Sequence, residues 1–457
     1  MTHKITMMDW AKLLTPKRLG KSDEEDLEKD RTSFQRDYDR IVFSSAFRRL
    51  KDKTQVYSLP KSDYIRTRLI HSHEVSCVGR SLGRMVGEEI VKKYSLEPFT
   101  AADFGDIVSA ACLAHDIGNP PFGHAGEEAI SAAFSSWYKK KGITSLSDPQ
   151  KNDLEKYEGN ALGFRILTTL EMRHRRGGMQ LTCPTLAAFT KYPKESLISK
   201  EILNGYKGKS IKKYSFFQSE LKLFTEVAET VGLIRRTDKA YWWARHPLSF
   251  LVEAADDICY SIVDVEDGFN MGYIPYKEAK ELLTPFVDLK ELSEENRSEA
   301  DHIKYLRARS INTLILEAKD IFLNNDEKIL KGAFDQALLD NSYKYSCYLS
   351  EISKRTRSKV FQHSDIVVVQ IAGHEILEKL FAKFADSLSL QGLQGEDDKN
   401  KLNDLVHFML PEDYKSNYMD DDYHKIMKVA DYIAGMTDSY AKSLFQQFSG
   451  IAIHARL

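Results

Sequence analysis

Apolar positions recur at helical spacing along most of the chain, and long alternating strand patterns are scarce. Across 65–94, His71, Val75, Val78, Leu82 and Met85 share one continuous face, predicting a helix with His71 on its buried stripe. His73 falls about 200° away on the 3.6-residue period, beside Cys77, Arg80 and Arg84. Ala101–Ala114 reads as an apolar helix, stopped by Gly118, Pro120 and Pro121. Residues 127–138 predict another helix. The lysine-rich stretches 139–156 and 194–213 read as an exposed loop and a surface excursion. A helix opens after Tyr157, with Asn160 as its candidate cap, and ends in basic residues and two glycines over 171–178. A shorter helix is expected over 181–191. Arg245, His246 and Pro247 start the next, in which Leu248, Val252, Asp256, Tyr260 and Asp264 stand at intervals of four. Residues 34–57 suggest an amphipathic helix with Phe43, Phe47 and Leu50 inward and a basic outer face. Beyond 275, helical segments alternate with charged breaks, 389–403 reads as a linker, and 423–448 as a helix bent at Gly435. The fold class this predicts is all-α. The expected organisation is an N-terminal arm over 1–30, a helical core over 31–290, and a C-terminal helical region over 291–457 packing on that core.

Composition narrows the picture. A chain of 457 residues, 42% hydrophobic and 29% charged, has ample material for a core. Its net charge of −2 creates no global positive field for nucleic acid, although basic patches stand at 48–53 and 173–176. Five scattered cysteines without a CxxC spacing argue for reduced thiols, against a disulfide framework or zinc knuckle. No signal peptide and no apolar run of about 20 residues is present, so a cytoplasmic location without membrane contact is expected.

The chemistry concentrates in A-C-L-A-H-D-I-G-N-P-P-F-G-H-A-G-E, residues 111–127. An imidazole and a carboxylate side by side at a buried helix end, His115 and Asp116, can share a divalent cation. Standing alone, such a pair is more often a capped helix end. Here His71 comes one helix earlier, and consecutive helices tend to pack as neighbours. Asp256, embedded in an apolar stripe, needs a partner there, either a metal or an Arg or Lys. Two imidazoles and two carboxylates suit Mn²⁺, Fe²⁺, Co²⁺ or Zn²⁺, with Mg²⁺ less natural. The interval from His124 to Glu127 lets the two side chains meet.

These motifs, with R-T-R-L-I-H-S-H-E-V, Y-E-G-N-A-L-G-F-R-I-L, A-D-D-I-C-Y-S-I-V-D-V-E-D-G and D-Y-I-A-G-M-T-D-S-Y-A, resemble the deoxyguanosine triphosphate triphosphohydrolases of the HD-domain superfamily. The resemblance implies an HD-type helical bundle over 31–290 that cleaves deoxynucleoside triphosphates, dGTP preferred, to deoxynucleoside and tripolyphosphate. It implies metal ligands at His71, His115, Asp116 and Asp256, the cation being Mn²⁺, Mg²⁺, Fe²⁺ or Co²⁺. It puts a catalytic dyad at His124 and Glu127. Substrate contacts are implied at Gln55, Val56, Arg68, Lys191, Tyr192, Tyr260 and Asp264, less specifically at Glu158 and Asn160. Gln55 and Asp264 would hold the sugar 3′-hydroxyl, and Tyr260 beneath the sugar would leave little room for a 2′-hydroxyl. The resemblance further implies a homo-oligomer, tetramer or hexamer, with a nucleotide effector and single-stranded DNA as further partners. Competing readings are another HD-type nucleotide hydrolase (monophosphatase, phosphodiesterase or alarmone hydrolase) and a non-enzymatic nucleic-acid-binding or effector-sensing protein using the basic patches.

Overall fold

The computed structural model describes residues 7–22, 31–55, 66–288, 298–388, 401–416 and 420–451. Among these residues it forms twenty α-helices and no strand, only isolated bridges such as Lys194 with Trp242. The central pair is the Arg68–Tyr94 helix against the Ala101–Ala114 helix. They approach closely because Gly79, Gly83 and Gly87 present no side chain. A Cβ on Gly83 would stand 2.7 Å from the Phe104 carbonyl, and one on Gly87 2.9 Å from the Phe104 side chain. The Pro247–Asn270 helix, started by His246 as its cap, crosses both. The Ser364–Asp386 helix packs against the His124–Lys141 helix and also against the Asp422–Ala434 and Asp438–Phe448 helices.

Charged groups knit distant parts of the chain. Arg18, fully buried, meets Asp37 at 2.6 Å. Arg165 joins Asp431 at 2.9 Å and Glu220 at 2.5 Å, all three almost wholly buried. Removing one member of such a group strands a buried charge, a loss of about 3–5 kcal/mol.

Several local expectations need correction. Residues 139–156 are not a loop. The His124–Lys141 helix runs to Lys141, and Asp148–Glu155 is a helix with Asn152, Asp153 and Leu154 buried. Ser147 and Pro149 supply its start signal, which the surrounding lysines obscured. The stretch 194–213 is anchored inward, since Lys194, Glu195 and Ser210 are buried and Ser210 is held by Asp335. The helix expected over 34–57 is, in its described part up to Gln55, two short α-helices, Ser33–Val42 and Ser45–Arg49, and the break turns Phe43 outward to 73% exposure. Lys53 is buried, so the 48–53 stretch is not an unbroken basic face. Trp10, Leu13 and Leu14 pack into the core, while the charged stretch 23–30 and Val56 lie outside the described residues. The bend at Gly435 is present, between helices ending at Ala434 and starting at Asp438. No helix of the described residues is long and apolar enough to cross a membrane.

Candidate active site

A cavity of about 670 Å³ opens where the three central helices meet, within the range of small-molecule sites. At its floor His71 comes from the Arg68–Tyr94 helix, His115 from the end of Ala101–Ala114, and Asp256 from Pro247–Asn270. One ligand atom of each lies within 4.8 Å of the others. His71 Nε2 stands 3.2 Å and His115 Nε2 3.6 Å from Asp256 Oδ1. His115 Nδ1 is 2.7 Å from the Cys112 carbonyl, so its proton belongs there and Nε2 keeps a free lone pair for the floor. Asp116 stands just outside this trio, its Oδ1 3.5 Å from His115 Nε2. Asn119 donates to that same Oδ1, and the other oxygen, Oδ2, accepts from Arg68 at 2.8 Å. His73 is exposed, its Nδ1 3.7 Å from Cys77 Sγ, and does not line the cavity, so His71 is the histidine that reaches the floor.

The electrostatics suit a cation. Burial works against charge on Asp256, but His115 and the hydrogen bond with His71 outweigh it and hold the carboxyl far below its usual range. Burial likewise opposes ionised Asp116, yet Arg68 and His115 hold it low. Two imidazole nitrogens and an ionised carboxylate converging from three rigid helices fit a divalent first-row ion.

At the rim, Gly118 makes a close approach that no larger residue permits, because a Cβ there would run into the backbone of Gly159 and Gly163. This packs the Gly159–Arg165 helix under the 115–124 loop. His124 opens the next helix with its side chain 80% exposed, and its Nδ1 lies 2.7 Å from Glu127 Oε2. Glu127 is pinned from behind, accepting the Gly159 amide at 2.7 Å. The hydrogen bond that His124 donates to Glu127 raises the His124 pKa above the usual histidine value. Burial would raise the Glu127 carboxyl, but His124 and Lys213 overcome it and hold it low. Glu158, and not Asn160, caps the Gly159–Arg165 helix, and Asn160 donates to Glu158 at 2.7 Å while facing the cavity.

Arg68, Lys191, Lys213 and Arg357 put positive charge on the walls. Lys191 pairs with Glu253 at 3.2 Å, and Lys213 with Glu158 at 3.0 Å, reaching Glu127 at 3.9 Å. Tyr192 lines the wall beside Lys191. Tyr260 stacks on Phe361, centroids 5.7 Å apart at 12°, and is 41% exposed to the opening. Gln55 borders the cavity, and its buried Oε1 has no protein partner among the described residues. Asp264 sits one turn beyond Tyr260, buried behind the lining, its carboxyl pushed well up by burial and Asp267. Lys213, Arg357 and Phe361 escaped the sequence reading. Lys213 looked like one lysine in a solvated run, and the other two sit about a hundred residues beyond Asp256 in a region without a legible motif.

Comparison with known proteins agrees with this architecture. The HD domain model matches residues 68–179, and the phosphohydrolase-associated domain model matches 346–447. A Synechocystis protein named deoxyguanosinetriphosphate triphosphohydrolase-like is 54% identical, covering 98% of this chain and 100% of its own. A Pseudomonas aeruginosa protein of the same name is 39% identical, covering 97% of this chain and 99% of its own. A Salmonella arizonae protein named deoxyguanosinetriphosphate triphosphohydrolase is 29% identical, covering 92% of this chain and 94% of its own.

Proposed function

The chain belongs to the deoxyguanosinetriphosphate triphosphohydrolase-like proteins, phosphohydrolases of the HD superfamily, and on that premise we propose that it hydrolyses deoxynucleoside triphosphates, dGTP preferred, to deoxynucleoside and tripolyphosphate. The observation that carries this reading is one cavity with a His71–His115–Asp256 floor, cationic walls and the His124–Glu127 pair at its rim. His71, His115 and Asp256 hold a divalent cation, with Asp116 beside them. A cation there supplies charge that polarises the α-phosphate.

The protein's own groups do the rest. Arg68, Lys191, Lys213 and Arg357 neutralise the triphosphate and orient it, as phosphoryl transfer requires. Water oxygen bonds the α-phosphorus and releases one of its protons to solvent, from which the exposed His124 ring is reprotonated afterwards; the bond from phosphorus to the sugar 5′-oxygen breaks, and that oxygen takes a proton. His124 donates it, because Nδ1 is committed to Glu127 and Nε2 is the nitrogen left for substrate. Gln55 offers its free carbonyl oxygen to the sugar 3′-hydroxyl. The Tyr260–Phe361 stack lies under the sugar, which disfavours a 2′-hydroxyl.

The test is to incubate the protein with each deoxynucleotide and with GTP, with Mn²⁺ or Mg²⁺ and with chelator, and to identify products by mass. Deoxyguanosine and tripolyphosphate are expected from dGTP, only with metal, and GTP should be spared. Release of orthophosphate or pyrophosphate would assign another phosphohydrolase reaction.

A further inference from the structure

The stretch A-D-Y-I-A-G-M-T-D-S-Y-A, residues 430–441, supplies none of the groups assigned above, yet its corner reaches both walls of the cavity. Asp438 is the first residue of the Asp438–Phe448 helix. An acidic residue at such a start commonly serves its own helix, whose first amides lack partners. Here Thr437 takes that task, its Oγ1 accepting the Tyr440 amide at 3.3 Å. The Asp438 carboxylate crosses to other segments. Oδ1 accepts the Phe122 amide at 3.1 Å. Oδ2 accepts the Thr54 amide at 3.2 Å and its hydroxyl at 3.0 Å. Phe122 stands two residues before His124, and Thr54 immediately before Gln55.

The loop it holds needs holding. Phe122 and Gly123 have φ of 63° and 61° in succession, a left-handed turn that a phenylalanine adopts only when its surroundings impose it. The Phe122 side chain is seated on Gly373, where a Cβ would approach it to 2.8 Å or less, and a Cβ on Gly123 would meet Arg68 Nη2 at 2.7 Å. The other end of the loop is tied to the same corner, since Lys53 Nζ donates to the Asn119 carbonyl at 2.6 Å and the Ala434 carbonyl at 3.0 Å.

We propose that Asp438 is a positioning residue. By holding Phe122 and Thr54 on one carboxylate it fixes His124 and Gln55 relative to each other across the cavity, which rests on the roles given to those two residues above. The phosphohydrolase-associated region thereby completes the catalytic geometry, with no contact to substrate by Asp438 itself.

The experiment is a double-mutant cycle of Asp438→Asn with His124→Ala, read as kcat, with Mn²⁺ affinity measured alongside. Asp438→Asn keeps the shape and loses one acceptor, so kcat should fall roughly 10- to 100-fold, the range for outer partners of catalytic groups, with Mn²⁺ affinity held within about 3-fold. In the His124→Ala background the same change should cost less than about 3-fold, because one of the two groups whose relative placement it fixes is gone. An equal factor in both backgrounds, or none in either, overturns the proposal. If Asp438→Asn does not fold, Gly373→Ala displaces the Phe122 ring with Asp438 intact. It should show the same dependence on His124, and unchanged kcat in that variant likewise overturns the proposal. A wild-type protein that releases orthophosphate or pyrophosphate would refute the tripolyphosphate reading alone, and the cycle is then run on that reaction.

Discussion

His124 and Glu127 show how a residue's surroundings set its chemistry. The imidazole is largely in solvent, yet its Nδ1–H is spoken for by a carboxylate that the Gly159 amide fixes in place. This raises the pKa of His124. If the protonated ring is the proton donor, kcat falls as pH rises through that raised value. Glu127→Gln removes the charge that raises it, so the falling limb of the kcat–pH profile should move to lower pH. A limb that stays in place would separate Glu127 from the titration of His124. The residues legible in the sequence were those whose chemistry conflicts with their position. His71 and Asp256 on apolar stripes and the adjacent His115 and Asp116 stood out for that reason. Lys213 carried no such conflict, since a lysine in a lysine-rich run is unremarkable until Glu158 and Glu127 are found beside it.

At the scale of elements, start and stop signals made the central helices readable. Pro247 opens the Asp256 helix, and the Gly118–Pro121 turn follows the helix that delivers His115. What could not be read was how helices approach one another. Gly118 has a second role beyond ending a helix, because its bare Cα lets the Gly159–Arg165 helix slide beneath the 115–124 loop. Gly118→Ala should push that helix away and drag the Gly159 amide off Glu127. We expect a loss of about 1–3 kcal/mol of stability, typical of overpacking, together with reduced turnover. Thermal unfolding and kcat check the two parts, and a melt unchanged within a degree would contradict the packing argument.

Over the whole molecule, segments far apart in the sequence share one interior. Arg165 meets Asp431 there, so the HD-matching segment and the phosphohydrolase-associated segment are joined by a buried ion pair. Asp431→Ala should destabilise by about 3–5 kcal/mol, because Arg165 keeps its charge with half its compensation gone. Denaturant unfolding measures this. A loss under about 1 kcal/mol would mean that Glu220 alone suffices. No local pattern announces this pair, since Arg165 and Asp431 stand 266 positions apart and each reads singly as a surface charge.

The same long reach bears on how the chain is made. The Met8 amide finds the Leu330 carbonyl, Lys53 the Ala434 carbonyl and Thr54 the carboxylate of Asp438. Early residues therefore leave the ribosome long before their mates exist. The pieces of the cleft stand hundreds of residues apart, so they cannot lock together before the Asp438–Phe448 helix has been made, and until then a nascent chain lacks the finished cavity.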